Sequence, residues 1–194
     1  MAGCPPACIT AHSYYDVELP ISDGFGTVRL FAMDSDSFRT ETSSRLAQET
    51  WLQQGLENST ATWNFVYMHH APYSSASTHG SDPQMQLPFQ QWGAHAVLAG
   101  HDHTYERLRV TDPTQNEMLY FVNGLGGNSL RGFGTPENGS EVRYNANFGA
   151  SRITVTDQTA TFEFPAPPEN LWVDPGGPRR FQGIQGKKNV RQAT

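Results

Sequence analysis

Ala94-His95-Ala96-Val97-Leu98-Ala99-Gly100-His101-Asp102-His103 reads as a short apolar strand that ends in Gly-His-x-His. Successive strand residues point to opposite faces, so this spacing predicts that His101 and His103 share a side. The glycine lets the backbone come close to whatever the imidazoles hold. Neutral imidazole is a common metal ligand, so the first reading is half of a metal site.

Working outward, six of the seven histidines lie between His69 and His103. Trp63-Asn64-Phe65-Val66-Tyr67-Met68 reads as another strand, and it delivers the chain to His69-His70. Residues 27–33, TVRLFAM, form an earlier buried strand, ending at Asp34-Ser35-Asp36. Residues 41–57 carry Trp51, Leu52 and Leu56 on one helical arc, with Gln, Glu and Arg over much of the rest. An imperfect helix around 83–92 is compromised by Pro88, and Met118–Val122 is a fourth strand.

Residues 152–156 and 159–164 alternate with period two around Asp157-Gln158, so a hairpin is expected. Strand-helix-strand-helix-strand followed by a hairpin implies an α/β sandwich. Asn123-Gly124-Leu125-Gly126-Gly127-Asn128 is a loop without the spacing of a dinucleotide or P-loop fingerprint.

The chain of 194 residues suits one domain with a tail. From Pro165 onward Pro and Gly dominate and periodicity stops. Residues 179–194 hold five of the basic residues and no acid, so removing them from the net charge of −6 leaves −11 on the rest. An acidic body argues against broad nucleic-acid binding. No apolar run reaches 18 residues, so no membrane span is expected, and the first 15 residues lack a signal-peptide pattern. Cys4 and Cys8 are the only cysteines; CPPAC has the form of a small disulfide or a metal-binding pair, but with two prolines between them and no second Cys pair neither is expected. Asn58-Ser59-Thr60 and Asn138-Gly139-Ser140 are formal glycosylation sequons.

Single histidines have plainer readings: His95 as a structural residue, His12 as an exposed loop residue. The group 69/70/79/101/103 is patterned and ends strands. Ligands at the carboxyl ends of adjacent strands converge in the crevice where open α/β sheets bind ligands.

VYMHHAPYSSASTHGSD followed by VLAGHDHTYER resembles the last two metal motifs of the calcineurin-like metallophosphoesterases. The Tyr105-Glu106-Arg107 continuation narrows the resemblance to the purple acid phosphatase branch. It spans roughly residues 14–164, with residues 165–194 as a Pro/Gly-rich basic tail.

The resemblance implies an α/β fold: half of a metallophosphoesterase-type β-sandwich flanked by helices, with a C-terminal β-hairpin. It implies a dinuclear metal centre, Fe with Fe, Zn or Mn. It assigns His101 to one ion and His103 to the other. A further ligand falls on His69 if Tyr73-Ser74-Ser75 is aligned, or on His70 if His-x-Pro is. Alternation along Phe65, Tyr67 and His69 puts the two on opposite faces, one facing the site and one flanking it; His69 is the favoured ligand. His79 matches the substrate-facing catalytic histidine. Asp102, between two ligands, is expected to point away from the metals, towards a supporting or solvent role.

The implied reaction is hydrolysis of phosphate monoesters on a small molecule or a phosphoprotein. Two ions clamp the attacking and leaving oxygens of an in-line displacement. Family members are often secreted. The family's upstream ligands, Gly-Asp-x-x-Tyr and Gly-Asn-His, have no counterpart: there is no Gly-Asp dipeptide, and Gly127-Asn128 is followed by Ser129. Asp34 and Asp36 follow the strand where the family carries a non-ligand Asp. The expectation is therefore a truncated or incomplete phosphoesterase that needs an N-terminal half. The alternative is a non-catalytic binding or scaffold domain with a vestigial His site.

Overall fold

The computed structural model describes residues 13–22, 24–111 and 116–164. The basic tail, Cys4, Cys8 and His12 lie outside them.

The chain order is β1 (Tyr15–Pro20), β2 (Thr27–Ala32), α1 (Ser35–Thr40), α2 (Thr42–Glu57), β3 (Trp63–Tyr67), a 3-10 turn (Pro83–Met85) and α3 (Phe89–Trp92). Then follow β4 (Ala96–Ala99), β5 (Tyr105–Thr111), β6 (Glu117–Asn123), β7 (Ser140–Tyr144), β8 (Arg152–Val155) and β9 (Ala160–Glu163). Seven strands make one sheet in the order β1-β2-β3-β4-β6-β5-β7, and β8-β9 form a separate hairpin.

The four central strands, β2, β3, β4 and β6, run parallel. Parallel strands covered on both faces read as continuous apolar runs. That explains why WNFVY in β3 and AVLA in β4 lack alternation yet are strands. Phe31, Val66 and Val97 face a helical layer containing Phe38, Leu52, Leu56 and Phe89. Trp63, Phe65 and Phe121 face the other way, onto the β8-β9 hairpin. There Phe162 stacks on Phe121 at 4.5 Å between ring centroids and meets Phe65 edge-on at 5.6 Å.

The hairpin is anchored at its turn, where Asp157 accepts hydrogen bonds from the Phe25 and Gly26 backbone amides at 3.0 and 2.9 Å. Towards β1 the same sheet face is less covered. Leu30 on β2 is half-buried there, and Tyr15 and Leu19 at the sheet edge are 46% and 51% exposed.

Three local expectations change. The helix expected over 83–92 splits into the 3-10 turn and the four-residue α3, with Pro88 as the N-cap residue between them. Gln48, one of the polar residues outside the apolar arc of α2, is fully buried. Its amide donates to the Asp34 carbonyl at 2.9 Å and its Oε1 accepts the Asp34 N–H at 3.0 Å, tying α2 to the end of β2. The strand expected at 94–99 begins only at Ala96 and stops at Ala99.

Candidate metal centre

Strands β3 and β4 lie side by side, and their carboxyl ends release the two histidine segments together. Met68 N–H donates to the Leu98 carbonyl at 3.0 Å, and Gly100 N–H to the His69 carbonyl at 3.0 Å. His69 therefore leaves its strand beside Gly100, one residue before His101. Its Nε2 lies 3.0 Å from His101 Nδ1.

Three more ring contacts complete the cluster. His79 stacks on His101 with centroids 3.8 Å apart and planes 29° apart. His70 lies 4.5 Å from His101 and 5.0 Å from His69, centroid to centroid. His69, His70 and His101 each offer a ring nitrogen, all within 4.8 Å of one another.

The geometry departs from strand alternation. Residues 100–104 are not a strand, and His101 has φ of +65°. That left-handed conformation is uncommon for a residue with a side chain and concentrates at functional sites. The period-two argument that put His101 and His103 on one side does not apply here. Among the described residues the three-imidazole group does not include His103. His103 Nδ1 instead lies 2.8 Å from the Ser129 carbonyl and 3.2 Å from Arg131 Nε. At 69/70 the two imidazoles have different partners: His69 Nε2 meets His101 Nδ1, whereas His70 is held by Ser35 and Arg39. β3 ends at Tyr67, and both rings approach His101.

Asp102 does point away from the imidazoles, but it is fully buried rather than in solvent. Its carboxylate accepts from Ser74 Oγ at 2.7 Å, from the His79 N–H at 3.2 Å and from the Gly80 N–H at 3.1 Å. It thus pins the loop that carries His79 over His101. Gly124, in the glycine-rich loop, allows this packing: a Cβ there would lie 1.8 Å from the Asp102 carbonyl oxygen. Glu106 is buried as well and accepts from the Ser75 N–H at 2.6 Å and from the hydroxyls of Ser75 and Ser140 at 2.5 Å each. The Tyr105-Glu106-Arg107 signature is therefore structural here, with Arg107 paired to Glu141 at 2.8 Å.

His70 is 7% exposed and has partners at both nitrogens: Ser35 Oγ at 2.9 Å from Nδ1 and Arg39 Nη1 at 2.8 Å from Nε2. Arg39 also pairs with Asp82. Desolvation, then the guanidinium, pushes the His70 pKa down. Desolvation, then the surrounding imidazoles of His79, His70 and His69, pushes His101 down to about 4. His101 is therefore neutral near pH 7, the form that ligates.

Ser35 and Arg39 were not singled out in the sequence. Both sit just past the carboxyl end of β2, a parallel neighbour of β3, so the crevice rule applied to a third strand would have flagged them. Asp34 is occupied as the N-cap of α1, accepting the Asp36 and Ser37 amides at 3.1 Å each. His95 behaves structurally: its Nδ1 accepts the Asn64 N–H at 3.0 Å, its ring meets Trp63 edge-on at 5.1 Å, and burial lowers its pKa.

This donor set suits one transition-metal ion. An ion about 2.0–2.1 Å from each of two tetrahedrally disposed nitrogens needs them about 3.3 Å apart. The 3.0 Å between His69 and His101 is close to that. No carboxylate belongs to the group among the described residues, so these residues alone do not supply a bridged pair.

The calcineurin-like phosphoesterase family model matches residues 9–105. The chain belongs to this family. Purple acid phosphatase 4 of Arabidopsis thaliana is 28% identical over 120 residues, covering 58% of this chain and 34% of that protein. The purple acid phosphatase PPD1 of yellow lupin, Lupinus luteus, superposes with a TM-score of 0.63 at 19% identity, covering 78% of this chain and 30% of its own. GAP50, described as the anchor in the inner membrane complex of Plasmodium, gives 0.67 at 16% identity, covering 90% and 55%.

The Arabidopsis relative supports the purple acid phosphatase branch, and the lupin structure supports a metallophosphoesterase fold. The chain spans about a third of the length of the Arabidopsis relative it matches. Among the described residues, no helix is long and apolar enough to cross a membrane.

Proposed function

We propose that this chain carries the histidine-rich half of a dinuclear phosphoesterase centre that hydrolyses phosphate monoesters, with residues 14–164 as the partial domain and 165–194 as a tail. The 3.0 Å approach of His69 Nε2 to His101 Nδ1, at the ends of adjacent parallel strands, carries the reading.

His69 and His101 are the residues to hold one ion, and His103 the residue to contribute to the second, together with ligands from the half bearing Gly-Asp-x-x-Tyr and Gly-Asn-His. A bound pair of Fe, Zn or Mn ions supplies Lewis-acid activation of water and of the phosphoryl oxygens. The chain's own groups do the rest. His79, stacked on His101 and fixed through Asp102, contacts a phosphate oxygen or protonates the leaving alkoxide. His101 stays neutral near pH 7 and so remains a donor. The substrate class is a phosphorylated small molecule or a phosphoprotein.

The second reading is a non-catalytic binding or scaffold domain. The observation behind it is that, among the described residues, the cluster's group contains imidazoles and no carboxylate. Aryl phosphate hydrolysis with added Fe, Zn or Mn separates the two. The chain alone should turn over well below about 1 per second. Co-expression with a segment carrying the upstream ligands should raise the rate in a way that His69→Ala abolishes. Absence of metal-dependent hydrolysis in the combined protein favours the scaffold reading.

A further inference from the structure

We propose that Arg39 limits the affinity and ligand number of the metal site: its guanidinium holds His70 out of the coordination sphere, so an ion is held by His69 and His101 while His70 stays a hydrogen-bonding partner of α1. The proposal rests on the reading that the cluster binds an ion.

The argument starts from hydrogen-bond inventory. Arginine has donors and no acceptor. With Arg39 Nη1 at 2.8 Å, His70 Nε2 must use its lone pair to accept. A neutral ring then carries its proton on Nδ1, which donates to Ser35 Oγ at 2.9 Å. Neither nitrogen is left with a lone pair for a metal.

The arrangement is built rather than incidental. Ser35 is 1% exposed, and its Oγ also accepts the His70 backbone N–H at 3.0 Å. Arg39 is restrained from the other side by its ion pair with Asp82. Asp82 is itself fixed, through its backbone N–H to the Ala71 carbonyl at 2.9 Å and its carboxylate on the Gln84 N–H at 3.0 Å. His70 is thus held by α1 and by the loop that follows it.

His69 and His101 differ. The contact between their facing nitrogens, 3.0 Å apart, is with each other, and an ion placed between them replaces one shared proton. A fixed positive charge beside the cluster also opposes a dication. Arg39 therefore limits affinity twice, by occupying a donor and by its charge. It also leaves the ion with positions that imidazole does not fill. Open positions distinguish a site that admits water or substrate from a closed structural one.

The test is zinc titration calorimetry on the 194-residue chain. Arg39→Met keeps a long side chain but frees His70 Nε2 and removes the charge. It should bind Zn²⁺ at least about tenfold tighter than wild type, a gain of about 1.4 kcal/mol. The double variant Arg39→Met/His70→Ala should lose that gain, and His70→Ala alone should leave wild-type affinity within about twofold, since a non-ligand contributes no bond to the ion. Equal or weaker binding by Arg39→Met, or a tenfold loss in His70→Ala, overturns the proposal. Histidine ¹⁵N NMR of wild type needs no variant: His70 should show the Nδ1–H tautomer before and after zinc, while His69 and His101 shift. A zinc-induced change at His70 Nε2 overturns the proposal. The metal-site reading fails separately, if wild-type affinity is unchanged by His69→Ala.

Discussion

The Asp102 carboxylate and the His79 main chain are joined directly: Oδ1 accepts the His79 N–H at 3.2 Å, while Oδ2 takes the Gly80 N–H at 3.1 Å and the Ser74 hydroxyl at 2.7 Å. A residue between two histidines in sequence thereby sets the position of a third, 23 residues earlier. A buried carboxylate with this many donors is costly to remove, because each donor is then left unpaired. Asp102→Ala should lower unfolding free energy by about 2–4 kcal/mol in urea. Asp102→Asn should lose less, since one oxygen still accepts. An unchanged urea midpoint for Asp102→Ala would contradict this role.

Gly124 tests the same support from the other side. A methyl group there meets the Asp102 carbonyl oxygen at 1.8 Å, so backbone must move. Gly124→Ala should cost about 1–3 kcal/mol, as overpacking does. Its melting temperature should fall, and the His79 resonances should shift. Gly126→Ala, where a Cβ meets nothing within 4 Å, is the control.

Acid should destabilise the metal-free chain. An unfolded histidine titrates near 6.5, whereas folded His101 titrates at about 4, and His70 and His95 are also shifted down. Between those values the unfolded state binds more protons, so stability is full above about pH 6.5 and is lost as pH falls towards 4. Urea midpoints in EDTA at several pH values should show this slope. His101→Asn should flatten it; a slope identical to wild type would contradict the assignment.

Much of this was legible in sequence, and what was not has physical causes. WNFVY and AVLA were legible as strands because they are short apolar runs, too short for a helix of ordinary length. The 152–164 hairpin followed from its alternation. β1 was not read as a strand because an edge strand carries charge, here Asp16 and Glu18, and closes on Pro20, where no ladder donor is needed. β5 and β7 were missed because ion pairs such as Arg107–Glu141 put charged residues inside the sheet. The histidine cluster was legible as a group, but its internal arrangement was not. Gly-His-x-His suggested alternation, while the left-handed turn at His101 sent His103 elsewhere. Arg39 carried no local signal, since an arginine in a short helix reads as surface until the neighbouring strand end is placed beside it.

Glu106 gives a further check on the signature residues. Its buried carboxylate takes the Ser75 amide and the hydroxyls of Ser75 and Ser140, linking the His79 loop to β5 and β7. Glu106→Gln should cost about 1–3 kcal/mol, because an amide cannot accept all these bonds. It should leave zinc affinity nearly intact, since it touches none of the imidazoles. A large loss of affinity at unchanged stability would give Glu106 a direct role that its contacts do not support.

The central claim is that the ends of β3 and β4 form a metal site through His69 and His101. Zinc titration calorimetry at pH 7 on wild type, His69→Ala, His101→Ala and His95→Ala tests it most directly. The account predicts that wild type and His95→Ala bind Zn²⁺ alike, whereas His69→Ala and His101→Ala each lose at least about tenfold, or 1.4 kcal/mol. Equal affinities across all four proteins would contradict it.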